Sequence, residues 1–354
     1  MPIIVVLGVI IAIFANIDHK NQSYNIDKVI KNTHFRQTVY GDNAERISQK
    51  ANKRIDELQK LLLCDVKGSD IDRINSRVGM LVYVNPLTIS IIDTCIDIAN
   101  KSNGAFNPLS YSLTSLWNFD ELDNKSAFQD KLHIFRFQNA DNIVPSEERI
   151  KSSLNHMNYN DIYIDRNKNG IKILDNFSGL DIDSIFKGII CDEIIKTYRE
   201  QDAKSGIIST GENVGIFGTK SNGELWNIAI KDQLKEDDKN GIAILKLKDG
   251  FISTHSPYEN YFKKDGTVYH HILDPKTGYP ASSDLISITV YHNNMGLVAD
   301  ILSNACFVLE RNKALELLKY YNAEAVFIYK NKDIYATEGI KENLMITNEN
   351  YTLR

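Results

Sequence analysis

Two adjacent histidines and a nearby aspartate are the most reactive grouping in this sequence. His270, His271 and Asp274 lie in the segment YHHILDPKTGYP at residues 269–280. Imidazole titrates near neutral pH and binds metal ions, so the pair suits proton transfer or a metal site. The Asp-Pro, Thr-Gly and Pro that follow are typical of a rigid turn. A strand would point the histidines to opposite faces, so that one could meet a ligand while the other packs. The alternative is a hairpin turn without chemistry.

A second candidate site is the segment GLDIDSIFKG at residues 179–188. Asp181, Asp183 and Ser184 precede a helical pattern whose first turn holds Lys187. The start of a helix offers free N–H groups and the positive end of the helix dipole, so this arrangement suits a phosphate. The alternative is that Asp183 or Ser184 only caps the helix.

A third candidate lies in the apolar helical segment VADILSNA at residues 298–305. Asp300 and Asn304 are four residues apart and therefore share one helix face. Both offer the hard oxygen ligands that Mg²⁺ prefers. A buried carboxylate needs a partner, and a salt bridge would serve as well as a metal, so both interpretations stand.

A fourth candidate is the segment GAFNP at residues 104–108, followed by LWNF at residues 116–119. Exposed backbone at the glycine turn could line a flat aromatic ligand, with Trp117 and Phe119 packed beneath it. The alternative is a glycine that ends a helix and two aromatic residues of the core.

The elements that must position these residues are of mixed type. Apolar spacing predicts helices at residues 44–63, 184–200, 296–310 and 312–321, and Asn85-Pro86 marks another helix start. Hairpins are predicted at residues 162–174 and 325–336, with further strands at 206–209, 225–231, 243–248, 251–254 and 285–291. This pattern predicts an α+β fold with largely antiparallel sheet, in two interleaved lobes. Residues 120–150 are predicted to form a surface insertion.

Composition excludes some classes of protein. The chain has 354 residues, 43% apolar residues and a formal net charge of −5, which fits a globular protein and gives no support for nucleic-acid binding. Its four scattered cysteines lack metal-binding spacing and are predicted to be buried thiols, with a disulfide left open.

The N-terminal residues 1–25 are predicted to be a signal peptide or a membrane anchor. Residues 2–15 (PIIVVLGVIIAIFA) are apolar, too short for a typical transmembrane helix but suited to a signal sequence. A buried strand is the alternative. We expect an exported protein, periplasmic or otherwise extracytoplasmic, either cleaved or anchored in the inner membrane. Its remaining residues 26–354 are expected to form one functional domain.

In this order, the motifs resemble the ApbE family of FAD:protein FMN transferases, over about residues 33–336. The resemblance rests on GAFNP with LWNF, on LD and KG at residues 180–188, on HHILDPKTGYP, on the AD and LS of residues 299–303, and on Asn75. It implies a fold with a T-fold-like core. It also implies a Mg²⁺-dependent enzyme that transfers FMN from FAD to a Thr or Ser hydroxyl of an acceptor protein and releases AMP. We expect that acceptor to be a membrane-associated or exported redox protein.

The resemblance also assigns roles to residues. His271 would be the catalytic base, and Asp274 would orient it or hold the ligand. The residues that would contact FAD are Ala105, Phe106, Asn107, Asp181, Lys187 and Ile272. The residues that would hold Mg²⁺ are Ser184, Asp300 and Asn304.

The sequence departs from the family pattern at several positions. These are Arg36-Gln37-Thr38 for Met-Gly-Thr, Leu63-Cys64-Asp65 for Ser-x-Tyr, Asp183-Ser184 for paired glycines, Phe186 for a small residue, Gly211-Glu212-Asn213 for Gly-Gly-Asp, Thr254-His255-Ser256 for Thr-Ser-Gly, and Asn304 for Thr. Asp183 and Glu212 would add negative charge near a pyrophosphate. Two other functions therefore remain open: an enzyme that hydrolyses FAD to FMN and AMP, and a non-catalytic protein that binds flavin or a partner.

Overall fold

The computed structural model describes residues 23–30, 33–119, 144–234 and 241–354. The helices alternate with strands along the chain. They are α1 (Ala44–Leu62), α2 (Asp70–Asn75), α3 (Pro86–Lys101), α4 (Tyr111–Trp117), α5 (Glu147–Leu154), α6 (Phe186–Glu200), α7 (Gly296–Val308), α8 (Arg311–Tyr320) and α9 (Glu338–Lys341).

The strands form one large sheet and three small ones. They are β1 (Ser23–Ile30), β2 (Thr33–Tyr40), β3 (Val82–Tyr83), β4 (Ile162–Asp165), β5 (Gly170–Ile173), β6 (Ser205–Thr210), β7 (Asn213–Phe217), β8 (Trp226–Ile230), β9 (Ala243–Leu247), β10 (Gly250–His255), β11 (Tyr261–Lys264), β12 (Thr267–His270), β13 (Leu285–His292), β14 (Glu324–Tyr329), β15 (Asp333–Ala336), β16 (Leu344–Ile346) and β17 (Thr352–Leu353).

The large sheet has nine strands in the order β1-β2-β6-β7-β10-β13-β14-β15-β17. Its neighbouring strands are antiparallel except for the parallel pair β15 and β17. The small sheets have the orders β16-β9-β8, β3-β5-β4 and β11-β12. The predicted α+β fold with largely antiparallel sheet is confirmed.

The two faces of the large sheet are buried against different layers. Ile208 faces the core shared with helices α1, α6 and α7, whereas its neighbour Ile207 faces the layer that holds β8 and β9. Successive residues of a strand point to opposite faces, so this alternation is expected for a sheet between two layers. The large sheet therefore separates the helix layer from the β8–β9–β16 layer.

Local patterns predicted most of these elements. The Asn85 side chain caps helix α3 by accepting a hydrogen bond from the Leu87 N–H at 2.9 Å, as the Asn-Pro pair indicated. Strands β1, β2, β3, β7, β11, β12, β16 and β17 were not predicted. The outer strands of this group, such as β11, have polar and exposed residues, so they lack the alternation that marks a half-buried strand.

The other regional predictions have mixed outcomes. Most of the predicted N-terminal segment, residues 1–25, lies outside the described residues, and residues 23–25 belong to strand β1. None of the described helices is long and apolar enough to cross a membrane. Of the predicted insertion, residues 120–143 lie outside the description, and helix α5 begins at Glu147. The four cysteines are free thiols, and Cys64 alone among them is only half-buried.

Candidate functional site

A buried carboxylate lies where helices α6 and α7 meet strand β10. Asp300 accepts hydrogen bonds from the Gly188 N–H at 2.9 Å and from the Ser253 hydroxyl at 2.8 Å. Its residue exposure is 1%, and this burial raises the pKa of the carboxyl group. The Asp300 carboxylate is thus satisfied by neutral hydrogen-bond donors, and not by the salt bridge that the sequence left open as an alternative.

Two glycines make this contact between helices possible. A Cβ atom on Gly188 would lie 2.6 Å from the Gly296 carbonyl oxygen and 2.7 Å from the Asp300 Cβ atom. The Gly296 oxygen belongs to the backbone and the Asp300 Cβ atom is held by its helix, so neither atom can move aside. A larger residue at position 188 would therefore force helices α6 and α7 apart. Gly188 is therefore required for the Asp300 hydrogen bond, although only its place after Lys187 hinted at a role.

Further hydroxyl and imidazole groups extend the site from Asp300. The Ser303 hydroxyl lies 2.9 Å from that of Ser253, and the Nδ1 atom of His255 lies 2.8 Å from the Ser303 oxygen. Burial, and then the charge of Lys187, lowers the pKa of His255 to about 3. The buried Asn213 side chain lies beside Asp300 and, as a hydrogen-bonding neighbour, helps to lower the pKa of its carboxyl group. Positions 213 and 255 stand out in the sequence as departures from the family motifs, but the contacts that these residues make were not predicted.

Lys187 supplies the positive charge of the site. It lies in the first turn of helix α6, and its Nζ atom is 3.8 Å from the position of a Cβ atom on Gly211. Its charge also lowers the pKa of Glu259, but burial dominates there and raises that pKa to about 8. The lysine therefore reaches around the end of strand β6 from the helix layer, and it lies in a region with Asp300, Glu259 and His271.

The two histidines of the opening motif have different surroundings, as a strand predicts. His270 ends strand β12 and is 7% exposed, and its ring packs edge-on against Phe307. His271 is half-buried, and its Nδ1 atom lies 3.3 Å from the Asn260 carbonyl oxygen. A carbonyl oxygen can only accept, so Nδ1 carries the proton and Nε2 is left as the basic nitrogen.

His270 should contribute to stability and make it depend on pH. Burial lowers its pKa to about 4, so the unfolded chain binds a proton between about pH 6.5 and pH 4 that the folded chain does not. Wild-type stability should thus lose up to about 3 kcal/mol from this group as the pH falls through that range. In His270→Gln, urea unfolding at pH 4.5 and 7.5 should give a correspondingly smaller difference. An unchanged difference would contradict this prediction.

Asp274 holds the turn, and this corrects one of its two predicted roles. Its carboxylate accepts from the Lys276 N–H at 2.9 Å, and its backbone carbonyl accepts from the Gly278 N–H at 2.8 Å. The described partner that orients the His271 ring is the Asn260 carbonyl, not Asp274. The physical reason is the short Asp-Pro turn, in which an aspartate bonds to the backbone two residues further on.

The residues predicted to contact a flavin nucleotide lie in two connected loops. The Asp181 N–H donates to the Pro108 carbonyl oxygen at 2.9 Å, which joins the loop of Asp181 to the one holding Ala105, Phe106 and Asn107. Asp181 accepts from the Thr114 hydroxyl at 2.5 Å, and the Asn107 amide donates to the Met157 carbonyl oxygen at 2.5 Å. Ile272 is 1% exposed and belongs to the same core cluster as Ala105 and Phe106.

Asn75 clamps the loop of Asp181. Its amide nitrogen donates to the Leu180 carbonyl oxygen and its amide oxygen accepts from the Leu180 N–H, both at 2.8 Å. Asn75→Ala leaves both backbone groups unsatisfied and should lower the free energy of unfolding by about 2–3 kcal/mol. It should also weaken flavin-nucleotide binding several-fold, which ultraviolet–visible titration and a denaturation curve would measure. Binding and stability equal to the wild type would refute this clamp.

Trp117 and Phe119 are core residues. They are 2% and 7% exposed and stack on each other with ring centres 5.8 Å apart. The Trp117 indole N–H donates to the Gly278 carbonyl oxygen at 2.8 Å. Their burial fits both interpretations of this segment, aromatic residues packed beneath a ligand or two residues of the core, and the rings support the histidine turn.

Oxygen atoms that suit a magnesium ion are present around Asp300. Asn304 is half-buried one helical turn after it, and the 3₁₀ turn Asp183–Ile185, which carries exposed Ser184, lies next to helix α7. The described residues contain no group of three or more His, Cys, Asp or Glu side chains that could hold a metal. Mg²⁺ needs only one or two carboxylates with water and substrate phosphates, so this donor set fits it and not a transition metal.

An open groove of about 550 Å³ leads away from Lys187 on the side of strand β8. Its lining comes from the large sheet, from β8 and from charged residues at one end; the charged residues are Arg36, Lys187, Glu212, Lys231 and Glu259. Glu212 and Lys231 form an ion pair at 3.0 Å. Of the residues predicted to contact flavin, only Lys187 lines this groove.

Comparison with known proteins identifies similar sequences over most of the chain. The model of the ApbE family matches residues 31–327. The FAD:protein FMN transferase of Treponema pallidum is 24% identical over 315 residues, which cover 84% of this chain and 81% of that protein. The FAD:protein FMN transferase of Buchnera aphidicola is 27% identical over 341 residues, 92% of each chain.

Solved structures share the fold. An ApbE protein from Thermotoga maritima matches with a TM-score of 0.78 and 27% identity, covering 93% of this chain and 100% of that one. The flavinyl transferase ApbE of Pseudomonas stutzeri, in its apo form, matches with a TM-score of 0.74 and 22% identity, covering 91% and 97%. The matched family residues include every site residue described above.

Proposed function

The chain belongs to the ApbE family, and on this premise we propose that it is an enzyme that transfers FMN from FAD to a hydroxyl group of an acceptor protein and releases AMP. One observation carries the proposal: buried Asp300, held by Gly188 and Ser253, lies in the same region as Lys187 and His271. These groups match what phosphoryl transfer requires, which is positioned charge and a base.

The transfer breaks one bond and forms another at the same phosphorus. The acceptor oxygen attacks the phosphorus on the FMN side of the pyrophosphate, the bridging P–O bond breaks, and AMP leaves with that oxygen. Negative charge builds up on the non-bridging oxygens, and the Lys187 ammonium is placed to stabilise it. The acceptor and AMP must lie roughly on opposite sides of the phosphorus.

His271 is the group that takes the acceptor proton. Its Nδ1–H faces the Asn260 carbonyl, so the free Nε2 atom can accept. Burial, then the neighbouring His255, lowers the pKa of His271 to about 3. The ring is therefore neutral at physiological pH, the form that can accept a proton, although a pKa so far below the operating pH makes it a weak base.

Magnesium fits the donors around Asp300. Asp300, Asn304 and an oxygen of Ser184 would hold it, and when bound it would neutralise charge on the phosphates of FAD. Asp300 keeps its orientation through Gly188 and Ser253, which is how neighbouring groups fix a metal ligand. The amide of Asn213, beside Asp300, adds a further neutral donor in the same region.

The flavin nucleotide would lie along the loops that Asp181 and Asn107 join. Ala105, Phe106, Asn107, Asp181 and Ile272 form this wall, and Asn75 fixes its Leu180–Asp181 end. Because Asn107 and Asp181 are already bonded to Met157 and Thr114, they act chiefly by shaping the wall. Their role in binding is to keep it preformed.

The acceptor is a protein with a Thr or Ser hydroxyl, and we propose that both proteins work outside the cytoplasm. The apolar residues 2–15 support export or anchoring. An exported or membrane-associated redox protein would use a covalent flavin. The net charge of −5 gives no reason to expect a nucleic-acid partner.

A single assay tests the proposed function. Purified protein is incubated with FAD, Mg²⁺ and a Thr-bearing acceptor, and AMP release is followed together with the acceptor mass. AMP with a flavinylated acceptor supports the transfer. AMP with free FMN and an unmodified acceptor would indicate a hydrolase instead, and bound FAD without AMP would indicate a binding protein.

A further inference from the structure

Strand β8 (Trp226–Ile230) is an edge strand. It pairs with β9 on one side, and β9 pairs with β16, so β8 is the outer strand of this sheet. Outside regular elements, the described residues provide no backbone hydrogen bond to residues 227–229. An edge strand has a row of N–H and C=O groups that can pair with another chain.

The free edge of β8 faces the groove that leads to Lys187. Five consecutive residues, 227–231, line that groove. Side chains of successive strand residues point to opposite faces of a sheet. A run of five can therefore line one groove only if the backbone edge itself faces it.

The floor of the groove is a part of the large sheet that the small sheet leaves uncovered. The β8–β9–β16 sheet packs over strands β10, β13, β14 and β15, where its core residues lie. Ile207 and Val214, on strands β6 and β7, are only partly buried at the margin of that core. One more strand beside β8 would extend the small sheet over these side chains and bury them.

One end of the groove reaches the groups of the proposed chemistry. Lys187, Glu259 and Thr254 line this end. The proposed flavin wall, formed by residues 105–107, 181 and 272, does not line the groove. The groove and the proposed flavin wall are therefore separate surfaces, so that an acceptor segment in the groove and a flavin nucleotide on the wall can be bound together.

We propose that the acceptor protein binds as an added strand on the free edge of β8. An extended segment pairs its main chain with β8, covers Ile207 and Val214, and presents its Thr or Ser hydroxyl at the Lys187 end. The inference rests on the proposed function, because it identifies how that reaction recognises its acceptor. Main-chain pairing gives affinity with little demand on sequence, and proline is excluded wherever the segment must donate to β8.

The first test changes the main chain of the acceptor. A pool of twelve-residue synthetic peptides, each with one central Thr and varied flanking residues, is incubated with the full protein, FAD and Mg²⁺, and flavinylated members are identified by mass. The best one is then made in two forms, N-methylated at alternate residues in one register or in the other. In an extended segment, only every second residue directs its backbone N–H group towards a given neighbouring strand.

N-methylation in the register whose N–H groups face β8 should lower kcat/KM for the peptide by about tenfold or more, because each lost hydrogen bond weakens binding. N-methylation in the other register should change kcat/KM little. Equal effects of the two forms, or no flavinylated peptide while AMP is released, would overturn the proposal. Absence of AMP release from FAD would instead mean that the proposed function is wrong, and the inference would fall with it.

The second test reads strand β8 directly and uses an edge-matched control. The active peptide should slow amide hydrogen exchange in residues 226–230 of the wild-type protein, because new hydrogen bonds protect amides. Ala229→Pro removes an N–H group on β8, and Ile346→Pro removes one on β16 that points away from β9, at the opposite edge of the same sheet. Ala229→Pro should raise KM for the peptide by about tenfold, whereas Ile346→Pro should not. Unprotected β8 amides with an active peptide would exclude the added strand.

Discussion

Replacing Asp300 with asparagine is expected to lower flavin transfer by about 10²- to 10³-fold, the range found when one group that stabilises transition-state charge is removed. The amide keeps the size of the side chain and can still accept from Ser253 or Gly188, so the fold should survive. What is lost is the negative charge that the proposed magnesium ion requires. The concentration of Mg²⁺ that gives half-maximal AMP release should therefore rise strongly.

Asp192 provides a matched control for Asp300. It is a half-buried aspartate that accepts backbone hydrogen bonds across helices α6 and α7, from Gly296 at 2.5 Å and Leu297 at 2.8 Å. Burial raises its pKa to about 7. Asp192→Asn should change stability but not the dependence on Mg²⁺. If Asp300→Asn keeps the wild-type Mg²⁺ dependence, Asp300 is not a metal ligand.

The pH dependence of stability gives Asp192→Asn a readout that is independent of catalysis. An aspartate whose folded pKa is raised from 3.8 to about 7 binds a proton in the folded state that the unfolded chain has released. Its contribution therefore falls as pH rises from about 4 to 7 and is constant above that. Asp192→Asn removes this slope.

The sequence predicted what depends on local patterns. Helix α7 and the hairpin of β4 and β5 follow from apolar spacing and turn residues. The partners of Asp300 could not be predicted in this way. Ser253 is 47 residues away along the chain and Gly188 is 112 residues away, and no local pattern encodes a contact made by three elements.

The departures from the family pattern compensate one another in space. Asp183 and Cys64 both stand at departing positions, and the Asp183 carboxylate accepts from the Cys64 N–H at 3.3 Å and from its thiol at 3.2 Å. This burial and the charge of Asp183 raise the pKa of the thiol, so Cys64 stays neutral. The extra charge of Asp183 is thus held by local donors rather than directed only at a pyrophosphate.

The same holds for Glu212 and His255. Glu212 forms an ion pair with Lys231, which offsets its charge at the edge of the groove. His255 bonds to Ser303 in the helix of Asp300. Compared with the family pattern alone, each of these residues counts as the loss of a family residue. In the structure, each has an ion-pair or hydrogen-bond partner. The substitutions are therefore compatible with an active site.

Replacing His271 with glutamine is expected to lower the rate of flavin transfer by about 10²- to 10⁴-fold, the range for a general base. Glutamine is close in size and can donate to the Asn260 carbonyl oxygen, so binding of FAD should change little. His270→Gln is the matched control, since His270 packs on Phe307 and donates to the Ala281 carbonyl oxygen from the neighbouring position. It should affect stability more than the rate of transfer.

The pH profile gives His271 a distinct signature. Because burial and the neighbouring His255 lower the pKa of His271 to about 3, its ring stays neutral as the pH falls from 8 to 5. The wild-type kcat/KM for transfer should therefore show no acidic limb near pH 6.5, where an exposed histidine would lose its basic form. Stopped-flow or discontinuous measurement of AMP release from pH 5 to 8 checks this. A limb near pH 6.5 that disappears in His271→Gln would mean that the ring titrates normally and is more open to water than its burial indicates.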